Sequence, residues 1–149
     1  MPNPEQLKFL LERAKKESDA SACQLAQARA VLAKAEAKQA LLSRYREDYH
    51  AELGSTISQG MDSERLRNFQ RFIGNVAQAV EQQQHEVERS KSAALRAESV
   101  WREAQRQLQS YRALAEREAA RARAADERRQ QKQNDEFSTQ SFLRLASKT

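Results

Sequence analysis

The chain has 149 residues but only three glycines, two prolines, one cysteine and nine aromatic side chains. Each scarcity excludes something. A sheet fold needs many turns, and the residues that make turns are missing, so sandwiches, barrels and α/β folds are excluded. A lone cysteine, Cys23, cannot build an intramolecular disulfide framework and fits a reducing compartment. No apolar run approaches the roughly 18–20 residues a membrane-spanning helix needs. The opening stretch Met1–Glu5 has neither a basic nor an apolar segment, so it is not read as a secretory signal. Only 33 residues are apolar and larger than alanine. That is too few for an ordinary globular core of this length.

What is present is equally one-sided. Ala, Glu, Lys, Leu and Arg supply 81 of the 149 residues, the mark of a long helix or coiled coil when the apolar period is 3.5–3.6. The net charge is +5, and all of the excess lies in residues 63–149, which carry 17 basic and 12 acidic side chains. Acids alternate with the bases there, which reads as a solvated helix face more readily than as a nucleic-acid arm.

Asn3 can cap a helix that begins at Pro4, because proline lacks an N–H that the first turn does not use. No glycine or proline follows until Gly54. The sequence therefore predicts a first helix over 4–53, a loop over 54–62 holding Gly54 and Gly60, and a second helix over 63–137 capped by Asp62. Gly74 sits inside the second helix at a cost of about 1 kcal/mol relative to Ala. The tail 138–149 is expected to fray. The whole chain reads as a single all-α coiled-coil domain.

The heptad period can be followed residue by residue. In the second helix it runs Leu66, Phe69, Ile73, Val76, Val80, Gln83, Val87, Ser90, Ala94, Ala97, Trp101, Ala104, Leu108, Tyr111, Ala115, Glu118, Ala122 and Ala125, and 15 of these 18 are apolar. In the first it runs Leu7, Leu11, Ala14, Ser18, Ser21, Leu25, Ala28, Leu32, Ala35, Gln39, Leu42, Arg46, Tyr49 and Leu53, ten of 14 apolar. Such a repeat means a narrow seam between supercoiled helices. Two long helices joined by a short loop fold back antiparallel, so facing residue numbers sum to about 119. The second helix then overhangs the first by about 25 residues. The seam is large near the loop and small in the middle, where Trp101 faces Ser18 and Ser21.

Catalytic and metal chemistry find little footing. His50 and His85 lack partners at ligand spacing beyond an ordinary Glu81–His85 helical neighbour. No cationic cluster surrounds Cys23 to activate it as a nucleophile. No phosphate-binding glycine loop or nucleophile elbow is present. The reading is of a non-enzymatic chain with no cofactor.

Two surfaces stand out. Lys38, Leu42, Tyr45 and Tyr49 share one helical face, as do Phe72, Val76, Ala79 and Gln83 on the second helix. The antiparallel register brings both stripes to one flank near the loop. Tyr45 and Phe72 lie off the seam there, which makes an apolar patch with a polar rim. A docked partner, a homo-oligomer and local packing all remain open as its use. The overhang is the other surface. Between Trp101 and Gln133 it carries Arg102, Arg106, Arg112, Arg117, Arg121, Arg123, Arg128, Arg129 and Lys132. Arginine suits bidentate contacts with partner carboxylates. No aromatic is interleaved among these arginines after Tyr111 to stack bases, so nucleic acid is not expected. A nucleic-acid-associated coiled coil and a homodimeric structural coiled coil are the alternatives from other classes.

The run Tyr45-Arg-Glu-Asp-Tyr49, the Gly54–Gly60 loop, Arg67-Asn-Phe-Gln-Arg-Phe-Ile73, Ala79-Val-Glu-Gln82, Trp101 and Gln131-Lys-Gln-Asn-Asp-Glu-Phe137 resemble the FliJ family. These are small coiled-coil stalks of the bacterial flagellar type III export apparatus. The likeness covers about residues 5–140, and the similar YscO stalks of injectisomes are the near alternative. The resemblance implies an antiparallel coiled coil like the stalk subunit of rotary ATPases. Its terminal end would enter the hexameric export ATPase, through Leu7, Leu11, Arg112, Arg117, Arg121, Arg123, Arg128 and Arg129. The family's stripe for the cytoplasmic domain of the export gate falls on Lys38, Leu42, Tyr45, Tyr49, Phe72, Val76, Ala79 and Gln83. Handling of export chaperones, and a cytoplasmic place peripheral to the inner membrane, are further implications.

Overall fold

A computed structural model describes residues 3–60 and 62–148. It holds two helices, α1 (Pro4–Ser58, 55 residues) and α2 (Ser63–Ser147, 85 residues), packed against each other as a hairpin. Among the described residues there is no strand.

The helix starts follow from capping chemistry. The Gln6 N–H donates to Asn3 Oδ1 at 2.8 Å, and the Asn3 N–H donates to Gln6 Oε1 at 3.2 Å. This reciprocal pair satisfies donors that a helix start leaves without intrahelical partners. Asp62 does the same for α2, accepting from the Arg65 N–H at 2.8 Å.

The helix ends differ from the sequence expectation. α1 continues past Gly54 to Ser58, five residues beyond the expected boundary at 53. Gly54 takes helical geometry at modest cost, and the Thr56 and Ser58 hydroxyls donate back to the Glu52 and Ser55 carbonyls. Gly60 is what stops the helix. Its φ of 85° is the left-handed conformation that glycine adopts without penalty. The connection is correspondingly shorter than the 54–62 loop, and Met61 within it lies outside the described residues. α2 likewise continues through the expected tail to Ser147. Nothing after Gly74 is a glycine or proline, so no residue breaks the ladder. Thr139 and Ser147 return hydroxyl bonds to the Asp135 and Arg144 carbonyls. Thr149 is outside the described residues.

Packing contacts divide the chain into two compact units. One unit is Asp19–Glu103. Its seam buries Ser21, Leu25 and Ala35 from α1 with Val80, Gln83, Val87, Ser90 and Ala94 from α2. The Gln83 amide donates to the Ala35 carbonyl at 2.9 Å, and Tyr49 meets Phe69 edge-on with ring centres 6.5 Å apart. Both pairs lie within one residue of the expected register.

Near the connection the large side chains Leu42, Tyr49, Leu53, Leu66, Phe69, Ile73 and Val76 are only half-buried, whereas further along the seam Leu25, Val80 and Val87 are buried among small neighbours Ser21, Ala35, Ser90 and Ala94. Two helices enclose a large side chain where small residues face it and let the backbones approach, and leave it half-exposed where large residues face one another. Arg46 stands at a seam position by period and is exposed, because its charge stays in water.

The other unit joins the residues up to Ser18 with those from Ala104 on. Leu7, Ala14 and Ser18 are buried, as is Leu108. The Gln105 amide donates to Ser18 Oγ at 2.8 Å. Ser18 is 2% exposed, and this bond gives its hydroxyl a partner. Along α2 the heptad positions stay half-buried to Glu118, while Ala122 and Ala125 are exposed. From there to Ser147 nearly every residue of α2 is exposed, so the segment has no covering helix within the chain.

Candidate functional site

Tyr49 is the hub of an aromatic cluster in the Asp19–Glu103 unit. It packs edge-on against Phe72 with centroids 4.8 Å apart, edge-on against Phe69 at 6.5 Å, and tilted against Tyr45 at 6.5 Å. Edge-to-face pairs of this kind add about 0.5–1.5 kcal/mol beyond area burial. Seam and flank separate as the period predicts. Tyr49 and Phe69 are half-buried, while Tyr45 is 46% and Phe72 44% exposed.

The rest of the expected gate stripe sorts by depth. Lys38 is exposed, and Leu42, Val76 and Ala79 are half-buried on the same flank. Gln83 differs. It is buried, and its amide is bonded to the Ala35 carbonyl, so it serves the helix pair instead of presenting a surface.

The residues expected at the terminal end also divide. Leu7 is buried and Leu11 half-buried in the seam against α2, so neither is presented outward as expected. Both sit on the heptad phase, and that phase governs them. Arg112, Arg117, Arg121, Arg123, Arg128 and Arg129 are all exposed. Two of them hold helical neighbours, Arg121 with Glu118 at 3.3 Å and Arg129 with Asp126 at 2.8 Å. Exposed pairs of this type contribute a few tenths of a kcal/mol to the helix.

Some exposed apolar residues escaped the sequence reading. Phe9 is 64% exposed near the start of α1, and Phe137, Phe142, Leu143 and Leu145 are exposed on the last turns of α2. For Phe9, Phe137, Phe142 and Leu145 the signal was a position off the heptad phase, and Leu143 continues that phase; at the C-terminal end the expectation of fraying masked both. His85 pairs with Glu88 at 3.9 Å instead of Glu81. Cys23 is exposed. Among the described residues no His, Cys, Asp and Glu group could hold a metal, and no helix is long and apolar enough to cross a membrane.

These features define a class: an all-α hairpin of two long helices whose distinctive surfaces are a lateral aromatic flank and an uncovered basic helix. Comparison with known proteins narrows it. Residues 3–147 match the family model described as flagellar FliJ protein. The flagellar FliJ proteins of Salmonella typhi and Escherichia coli K12 are each 31% identical over 138 residues, spanning 93% of this chain and 94% of theirs. The chain belongs to the FliJ family of flagellar proteins, non-enzymatic components of flagellar export. Its fold is similar to the solved structure of a YscO homologue from Chlamydia trachomatis, with a TM-score of 0.67 and 18% identity over 100% of this chain and 99% of that one.

Proposed function

We propose that the chain is the central stalk of flagellar type III export. The uncovered part of α2 enters the hexameric export ATPase, and the flank around Tyr45 and Phe72 meets the cytoplasmic domain of the export gate. The observation that carries this reading is the uncovered length of α2, helical to Ser147 with its side chains exposed. A helix that packs on nothing has only propensity and neighbour pairs to hold it. A surrounding ring would supply the missing contacts, and the exposed arginines suit carboxylates lining it. In this reading Leu7 and Leu11 anchor the start of α1 to α2 and do not touch the ring. On the flank, Lys38, Leu42, Tyr45, Phe72, Val76 and Ala79 form the contact surface, with Tyr49 as its support and Gln83 beneath it.

Export-chaperone handling and a place at the cytoplasmic side of the inner membrane belong to the same proposal and rest on kinship.

The test is a double dissociation in binding. Tyr45→Ala with Phe72→Ala weakens calorimetric affinity for the gate domain by about tenfold or more, as expected for loss of two aromatic anchors, and leaves helicity intact. A chain ending at Glu118 keeps its gate affinity and loses the ATPase. Unchanged gate affinity in the double variant would overturn the assignment of the flank.

A further inference from the structure

The flank that carries Tyr45 and Phe72 does not end there. Stepping by sevens from Tyr45 toward the start of α1 gives Lys38 and Val31. Stepping by sevens from Phe72 along α2 gives Ala79, Glu86, Ala93 and Val100. These positions form a second column beside the seam, because residues seven apart share a helical face. Val31 and Val100 are each 55% exposed. Two valines on exposed helix surface have lower helix propensity than Ala or Leu and little internal packing to offset it.

A groove runs between the helices along this column. One stretch, of about 730 Å³, is lined by Ala28, Val31, Ala93 and Arg96 among others. The next, of about 670 Å³, is lined by Val31, Ala35, Leu42 and Ala79 among others. Both share Val31, Glu86 and Arg89, so the two stretches adjoin end to end along the column. From Ala79 to Arg96 it follows α2 for roughly 25 Å, the length of a partner helix of about 17 residues. Its floor is Ala35, Gln83 and Ser90, with Ala28, Ala79 and Ala93 half-buried beside them and Val31 standing exposed at the edge, so no large side chain fills it.

The rim decides what the occupant must be. Lys34, Lys38, Arg89 and Arg96 border the groove, with Glu86 and Glu88 as the acids. Glu86 is held by Arg89 at 2.7 Å and Glu88 lies 3.9 Å from His85. No ion pair is made by Lys34, Lys38 or Arg96 among the described residues.

We infer that this groove binds an amphipathic helix whose apolar stripe lies on Val31 and Ala93 and whose borders carry acidic side chains toward Lys34, Lys38 and Arg96. The inference rests on the reading that this flank receives a partner, and it extends the contact well beyond the aromatic patch. A second copy of the chain fits poorly. Its exposed free helix brings Arg121, Arg123, Arg128, Arg129 and Lys132 with only Asp126 and Glu127 as acids over the same stretch, a net like charge against a basic rim.

The test uses the full chain and two fluorescent synthetic peptides of about three heptads. Both have leucine at the stripe positions, one with glutamate and the other with lysine at the borders. By anisotropy the glutamate peptide binds the native chain about tenfold more tightly than the lysine peptide, and more weakly as salt rises. Val31→Asp weakens the glutamate peptide about tenfold, through loss of apolar contact and added repulsion. Lys34→Glu with Arg96→Glu reverses the preference. Val31 is exposed, so these variants keep native helicity by circular dichroism. Phe9→Ala, on an exposed residue that lines neither stretch of the groove, leaves the peptide affinity unchanged. Equal binding of both peptides, no binding of either, or no effect of Val31→Asp overturns the inference. So does a dimer in sedimentation that Val31→Asp converts to monomer.

Discussion

Gln83 shows what a buried polar side chain does in a thin helix pair. It is 7% exposed and donates to the Ala35 carbonyl, which already serves the α1 ladder. Replacing it with leucine removes an amide without orphaning its acceptor. Gln83→Leu is therefore expected to leave stability in urea within about 1 kcal/mol of native, or to raise it, whereas Gln83→Ala costs about 1–2 kcal/mol by opening a cavity. The glycines give a sharper contrast. A Cβ at Gly74 would meet nothing within 4 Å, so Gly74→Ala stabilises by about 1 kcal/mol. A Cβ at Gly60 would also meet nothing, but the φ of 85° strains any L side chain. Gly60→Ala costs about 1 kcal/mol. Equal shifts in the two melting midpoints would contradict this assignment of roles. The sequence places Gly60 in the loop and Gly74 inside the helix, but the dihedral angle that makes Gly60 costly to replace is seen only in the backbone. It cannot tell which of two nearby glycines, Gly54 or Gly60, ends α1 until the backbone chooses.

At the scale of the element, the heptad phase was legible almost throughout. Every heptad position of α1 except Arg46, and every one of α2 through Glu118, is buried or half-buried. The caps at Asn3 and Asp62 were legible too, since the residue types name the bonds they make. Asn3→Ala is expected to cost about 1 kcal/mol and to raise amide exchange in the first turn of α1 alone. What escaped was where α2 stops. Propensity sees a polar tail, and no local signal separates a frayed end from a helix continued by its own ladder. The expected consequence is graded exchange. Amides beyond Glu118 exchange fastest within α2, and those of Val80–Ala94 slowest. Uniform protection along α2 would contradict the view that packing stops near Glu118.

For the whole molecule, the candidate sites were legible in composition but not in depth. Period alone put Tyr45 and Phe72 on one flank, and the ring geometry bears that arrangement out. Period put Gln83 on the same flank as well as on the seam, and put Leu7 and Leu11 on the seam, while the family resemblance offered those two to a partner; Gln83 and Leu7 are buried and Leu11 is half-buried between the helices. A heptad count assigns a direction to a side chain, and burial depends on what the facing helix brings to that level. The separation of duties proposed above gives the aromatic flank to one partner and the uncovered α2 to another.

The measurement that tests it most directly is steady-state ATP hydrolysis by the purified hexameric export ATPase. The enzyme is assayed alone, with the full chain, and with a chain ending at Glu118. The account predicts that the full chain accelerates turnover and that the shortened chain does not, although it still binds the gate domain. Full acceleration by the shortened chain would contradict it.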